Sequence, residues 1–334
     1  MNTERRPTLR QVADLAGVSH QTVSRYFRPN SGLLPETAER VRAAVETLGY
    51  RPNLVARSMR TRRSGMLGVV LPGWVGPERT VAAACEEARS SGYRVEIVIG
   101  LDEGPESLWA RVEELLASGQ VEGVLSVSPM DPADLAPAGM VVQVDEYDHR
   151  LRAVDAVAED QETMIEIVRR LSELGHRDLL HVGGPQGWPS ARLRMAGYLE
   201  ACRRYGLRTH GEPSGPWHPE TGRQGILALP DDTPVTAVVA ASDDIGVGVL
   251  GAAHSRGWAV PGRLSVTGWD DRLLARYAAP ALSTVIVDRE TAGRHAMRRL
   301  IAAVEGRPEP AGPTTPLTRI EFRESTGPPM TEAS

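Results

Sequence analysis

Lysine is absent from this 334-residue chain, and all 38 of its basic residues are arginine. That bias marks genome composition and carries no mechanism. Only two cysteines occur, Cys85 and Cys202, far apart and outside any metal-type cluster. They exclude a disulfide scaffold and point to two packed thiols in a reducing, cytoplasmic setting. No apolar run reaches the length of about 18 residues that reads as a membrane span. The opening "MNTERRPTLRQ" lacks an apolar core, so no secretory signal is expected there. A P-loop, a dinucleotide fingerprint, a nucleophile motif and a metal cluster are all missing. An enzyme is therefore not expected, and neither is a cofactor or a metal.

Hydrophobic residues make up 41% of the chain, enough for a globular protein of two or more folding units. The net charge of −5 hides an asymmetry. Residues 1–63 hold 12 Arg against 5 acids, whereas the remainder holds 26 Arg against 38 acids. A small basic head on an acidic body suggests that the head meets a polyanion.

Within the head, "TLRQVADLAGVSHQTVSRYF" carries Leu9, Val12, Ala13 and Ala16 at helical spacing, with Thr8 as the N-cap. Gly17 ends that helix, and Ser19 caps a second in which Val23 and Phe27 keep one buried face. A third helix follows Pro35 through Val41, Val45 and Leu48. Two short helices around a glycine turn form the helix-turn-helix pattern. Its second helix begins with more hydrogen-bonding side chains than a helix start needs. Base edges in the major groove explain them, since Gln can pair with adenine and Arg with guanine. Ser19, Thr22 and the free helix-start amides suit phosphates.

The motifs V-A-x-x-A-G-V-S, T-V-S-R and "NLVARSM", in that order, resemble the lactose-repressor (LacI) family, and the likeness runs over nearly the whole chain. It implies a transcriptional regulator, most simply a repressor, that binds double-stranded operator DNA as a homodimer. His20, Gln21 and Arg25 become the base readers, with Thr8, Ser19, Thr22 and Ser24 on the DNA backbone. Asn53, Val55, Ala56 and Met59 become hinge and minor-groove residues. Two positions depart from the family: Met59 where Leu is usual, and Leu34 where a Ser cap is common. A hinge of about two turns is marginal alone and should fold only when held.

The body alternates apolar strands with helical segments, the signature of parallel, doubly wound sheets. "SGMLGVVLPG" and "GHRDLLHVGGP" each read as the first strand of a lobe. The expected fold is α/β: a small all-α helix-turn-helix head plus a two-lobed, periplasmic-binding-protein-like body. The expected bounds are 1–63 for the head, with its hinge helix at about 53–60, and 64–324 for the body. Lobe one takes about 64–158 plus 289–324, lobe two takes 159–288, and 325–334 form a flexible tail. Helix 80–88 is small and apolar around much of its circumference, so a face is left for a partner, and the resemblance makes it the dimer interface. No leucine-heptad tail follows "LTRIEFRESTGPP", so a tetramer-forming helix is not expected.

Ligands of such sheets sit beyond the carboxyl ends of strands. Asp131 and Asp270 lie at strand ends, and Arg194 lies in the first turn of a helix, beside its packed stripe. A charge there needs a carboxylate or sugar hydroxyls, and a ligand-free salt bridge explains it equally. Trp217 sits in a loop, where a ring either stacks on a sugar face or plugs local packing. The resemblance to sugar-responsive members makes Asp131, Arg194, Trp217, Ser242 and Asp270 the contacts of a sugar effector, galactoside-like in its site. Trp74, Trp188 and Trp269 add candidate stacking surface. Ser242 and Val287 depart from the family's usual polar residues. Two rival readings are a sugar-transport protein, which the basic head opposes, and a glycosidase using Asp131 and Asp270.

Overall fold

A computed structural model describes residues 7–27, 32–50, 63–71, 78–100, 105–127, 140–143 and 156–330. The expected hinge residues Asn53, Val55, Ala56 and Met59, and the expected effector residues Trp74 and Asp131, lie outside them.

The head is three helices: α1 (Leu9–Ala16), α2 (His20–Tyr26) and α3 (Pro35–Leu48). Thr8 and Gln11 form a capping box, with Thr8 N donating to Gln11 Oε1 at 2.8 Å and Gln11 N donating to Thr8 Oγ1 at 3.3 Å. Gly17 closes α1 at φ 62°, a conformation that glycine adopts without a Cβ penalty. Ser19 caps α2, whereas Leu34 gives α3 no side-chain cap. Val12, Ala13, Ala16, Val23, Val41 and Ala44 form the small core. Arg40 fixes the α1–α2 turn by donating to Ala16 O at 2.6 Å and Gly17 O at 2.8 Å, which satisfies carbonyls at a helix end.

The body holds two parallel sheets of the same pattern. The first contains β1 (Met66–Leu71), β2 (Arg94–Ile99), β3 (Val124–Ser126) and β4 (Val141–Gln143), in the order β2-β1-β3-β4. The second contains β5 (Asp178–Val182), β6 (Arg208–Thr209), β7 (Ala237–Ala240) and β8 (Ser265–Thr267), in the order β6-β5-β7-β8. Helices α4 (Glu78–Ser90) and α5 (Pro105–Ala117) serve the first sheet. The second has α6 (Ala156–Glu173), α7 (Pro189–Tyr205), α8 (Pro219–Leu227), α9 (Asp243–Ser255) and α10 (Leu273–Tyr277). Strands β5 and β7 are buried along their whole length; β7 is an unbroken apolar run, whereas β5 also buries Asp178 and His181. No helix among the described residues is long and apolar enough to cross a membrane.

After the second sheet come β9 (Thr284–Val287), α11 (Arg289–Val304) and β10 (Thr318–Glu321). Helix α11 packs into the first lobe, where Ala296, Met297, Leu300 and Ile301 join Leu67, Val69, Ala84 and Ala88. Beyond it the chain departs from the expected bounds. Strand β10 pairs antiparallel with β9. Ser325 is fully buried and donates to Val266 O at 2.6 Å. Gly327 O accepts from Ser265 Oγ at 2.9 Å, and Met330 N donates to Gly262 O at 3.2 Å. Residues 318–330 therefore pack with the second lobe. They are neither part of the first lobe, as expected for 318–324, nor a free tail, as expected from 325. Ser and Thr side chains bonding across to β8 and β9 tie them down.

Helix α4 also differs from the expectation. Its own chain covers a flank: α11 crosses it so closely that a Cβ on Gly293 would lie 2.2 Å from Thr80 O. Ala83, Ala84 and Ala88 are buried, Val81 and Cys85 half-buried, and Ala82 exposed.

Candidate functional site

On the head, Val23 turns α2 toward the core, and the opposite side is left open. His20, Gln21 and Arg25 are exposed there. Arg25 Nη2 donates to Gly32 O at 2.9 Å, so this base-reading candidate is held against the following loop. Ser19 spends a lone pair on the Thr22 amide at 3.1 Å, and its hydroxyl lies 2.8 Å from that of Thr22. Thr8 is likewise engaged with Gln11, and Ser24 is half-buried. The caps shape the helix starts, taking up the Gln11 and Thr22 amides.

In the second lobe, the ends of β5, β7 and β8 bring Arg194, Ser242, Asp243, Trp269 and Asp270 together. Arg194 lies in the second turn of α7, not the first, because that helix begins at Pro189. It is 3% exposed and is held within its own lobe. Its Nε donates to Asp160 Oδ2 on α6 at 2.9 Å, and its Nη1 donates to Ala241 O at the end of β7 at 2.8 Å. Its guanidinium lies 4.3 Å from the Trp269 ring centroid and 5.9 Å from that of Trp217. Trp269 is fully buried, so it seats the arginine by a cation–π contact and offers no ligand a face, contrary to its expected role.

Trp217 is half-buried, with its ring laid on Gly184, where a Cβ would fall 2.1 Å from the indole. Trp188 meets it edge to face, with centroids 6.0 Å apart at 88°. Trp188 belongs to the second lobe by sequence but packs against the first lobe's core, while Trp217 packs against the second's. Ser242 caps α9, its hydroxyl accepting from Ile245 N at 3.3 Å.

Asp270 sits at φ 108°, a strained conformation for a residue with a Cβ. Its amide donates to Val285 O at 2.8 Å, and its carboxylate accepts from Arg289 Nη2 at 2.5 Å. Asp243 lies alongside, accepting from the Thr284 hydroxyl at 2.6 Å and from Arg272 N at 2.7 Å. Burial, and then the charge of Asp270, push the Asp243 carboxyl well above the usual carboxylate range. Burial also raises Asp244, opposed by Arg272 at 3.3 Å and reinforced by Asp270 and Glu78. Glu78 opens α4 in the other lobe, so acids from both lobes feel one another.

Arginine donors, carboxylate acceptors and an indole face converge here, which suits a polyhydroxyl ligand with an apolar face. Among the described residues no group of His, Cys, Asp and Glu could hold a metal ion. Asp160, Asp243 and Arg289 were missed in the sequence. Asp160 looks like one more acid of "VAEDQETM", and Arg289 looks like an ordinary first-turn residue. Asp243 had the single signal of standing beside Ser242 at a strand end.

Two family models match the chain. One, for bacterial regulatory proteins of the lacI family, matches residues 8–53, and one for a periplasmic binding protein-like domain matches residues 168–326. The HTH-type transcriptional regulator AscG of Escherichia coli (strain K12) is 30% identical over 311 residues, covering 90% of this chain and 92% of AscG. The lac repressor dimer bound to operator and the anti-inducer ONPF superposes with a TM-score of 0.76 at 27% identity, covering 97% of this chain and all of that one. The transcriptional regulator CelR–cellobiose complex gives a TM-score of 0.68 at 28% identity, covering 96% of this chain and all of that one.

Proposed function

The chain belongs to the lacI family of bacterial regulatory proteins, and we propose that it is a repressor of carbohydrate-utilisation genes released from a palindromic operator by a sugar. It is a DNA-binding transcriptional regulator, not an enzyme. The carrying observation is that one chain joins an exposed α2 edge bearing His20, Gln21 and Arg25 to a second-lobe cluster in which Arg194 lies over Trp217 near Asp270. The α2 side chains read base edges, and Thr8, Ser19, Thr22 and Ser24 with their amides meet phosphates. Residues 53–60 act as the hinge, with Met59 the apolar wedge of the minor groove. Arg194, Trp217, Ser242 and Asp270, with Asp131 and Trp74, contact a mono- or disaccharide. The cellobiose held by CelR supports that class.

The regulator works as a homodimer in the cytoplasm, where its DNA is. Two apolar patches support the dimer: Ile97, 49% exposed on edge strand β2 beside α4, and Leu273 and Tyr277 of α10, 72% and 80% exposed. A two-fold dimer then reads two half-sites. The test is fluorescence anisotropy of labelled operator fragments, titrated with the full-length chain and challenged with a panel of sugars. Salt-sensitive binding to a selected pseudo-palindrome and release by one sugar class are expected. Binding that is indifferent to sequence, or to every sugar, would overturn the reading.

A further inference from the structure

Helix α11 links two places that the proposed function must connect. Its first residue, Arg289, holds the Asp270 carboxylate of the sugar cleft at 2.5 Å. Its C-cap, Glu305, accepts from the Tyr93 hydroxyl at 3.1 Å. Tyr93 in turn accepts from Arg63 Nη2 at 2.7 Å. Arg63 also donates to Glu122 Oε2 at 2.6 Å, and Gly65 N donates to Glu122 Oε1 at 2.5 Å. These bonds seize the chain where it enters the body from the head. Sixteen residues separate the ends, a rod of about 24 Å.

The rod is built to move as one piece. Its inner face, Ala296, Met297, Leu300 and Ile301, is packed into the first lobe's core, and interiors this dense transmit displacement instead of absorbing it. Its contact with α4 includes a close backbone crossing at Gly293 and Thr80, flanked by the ion pairs Arg79–Glu290 at 2.7 Å and Arg298–Glu87 at 2.9 Å. At the far end, the Tyr93 ring is 8% exposed, and burial pushes its hydroxyl up to about 12, so it stays a donor to Glu305.

We propose that α11 carries the effector signal, and that Tyr93 is the positioning residue that passes it, through Glu305 and Arg63, to the head. The inference rests on the reading of Asp270 as a sugar contact. Sugar hydroxyls that take the Asp270 oxygens compete with Arg289. The first turn of α11 then loses its Arg289–Asp270 pair, and Glu305 shifts against the Tyr93–Arg63 pair. The anchor of the chain leading to the hinge changes as a result.

The test is a double-mutant cycle read in operator affinity of the full-length chain, without any sugar. Arg289→Leu imitates the broken pair, and Tyr93→Phe keeps the buried ring but removes its hydroxyl. Arg289→Leu is expected to change operator affinity about tenfold, within the range of allosteric couplings. Tyr93→Phe alone should stay within about twofold of wild type, and the double variant within about threefold of it. Additive effects, or an Arg289→Leu variant with wild-type affinity, would overturn the proposal; residues this distant otherwise add. A second arm adds glucose, galactose, lactose and cellobiose. Tyr93→Phe should bind the active sugar with wild-type affinity by calorimetry yet show blunted operator release, and full release would also overturn it. If none of the four binds wild type, the sugar reading fails for this panel, and the sugar-free cycle still decides the coupling.

Discussion

Arg194 is where stability and the proposed effector recognition are hardest to separate, and its partners offer a way to separate them. In Arg194→Ala, Asp160 loses its 2.9 Å partner while its side chain is only 11% exposed. A buried pair broken from one side typically costs about 3–5 kcal/mol, because a charge is left uncompensated. The lost bond to Ala241 O and the space above Trp269 act in the same direction. For a unit of 150–250 residues each kcal/mol moves Tm by about 2–4 °C, so a fall of about 6–20 °C is expected. Replacing both partners, Arg194→Met with Asp160→Leu, removes both charges of the pair and should restore most of that loss. It should not restore sugar-dependent operator release, because the Arg194 guanidinium over the indoles is gone. The assays are thermal melts and operator anisotropy with and without sugar, on both variants. Two results would refute the reasoning: a double variant as unstable as Arg194→Ala, or one that still responds to sugar.

On operator variants at fixed salt, Gln21→Ala should lose about 1–3 kcal/mol against its preferred sequence and relax preference at one position per half-site. Equal weakening on every sequence would mean that Gln21 reads no base. Burial holds the His181 imidazole neutral, lowering its pKa from 6.5 to about 4. The unfolded chain therefore binds a proton that the folded chain refuses, so this stability is whole above pH 6.5 and lost as pH falls toward 4, by roughly 3 kcal/mol. Melts of His181→Phe across that window should lack this loss, and parallel curves for both proteins would count against it. Gly184→Ala places a methyl 2.1 Å from the Trp217 ring, so the indole must leave its seat. Sugar affinity should drop with operator affinity kept, and an unchanged sugar titration would remove Trp217 from the site.

Local rules made much of this molecule legible. Thr8, Gly17, Ser19 and the Val12–Ala13–Ala16 stripe act through neighbours three or four residues away, so the helices of the head could be read directly. The buried strands β1 and β7 could be read because a strand covered on both faces is apolar without interruption, and β5 could be read from Leu179, Leu180 and Val182 despite Asp178 and His181. Short or partner-dependent elements could not. Strand β6 is two exposed residues, and α10 is five residues with an apolar exposed surface. Strands β9 and β10 exist because each completes the other across more than 30 residues. At the site, the chemistry-bearing types could be named, but not their partners. Whether Arg194 faces a ligand or a carboxylate depends on Asp160, a helix away, and nothing local marks that acid. Trp269 shows the same limit, since its place at a strand end says nothing of its depth.

The turn that presents Asp270 ties these strands of reasoning together. Asp270 and Asp271 are the non-glycine residues described with positive φ, at 108° and 51°, each costing on the order of 1–3 kcal/mol. Such a turn persists only if its surroundings determine it more than once. Asp270 N is held by Val285 O, and Asp243 holds Arg272 N beneath. The Asp271 side chain is fully buried between Arg276 and Arg323. Arg323 reaches it at 2.5 Å from the returning C-terminal stretch, while its own Nη1 donates to Leu282 O at 3.0 Å. The returning stretch 318–324, expected in the first lobe, thus closes the clamp on the Asp270 turn. Asp270 is held from the second lobe's far end and contested by Arg289 at the point where the chain crosses to the first lobe. A ligand that satisfies Asp270 leaves the clamp intact and acts on the crossing alone. The strain is therefore fixed in place on one side, and among the described residues the partner that carboxylate would exchange is Arg289, on the helix that leads back toward the head.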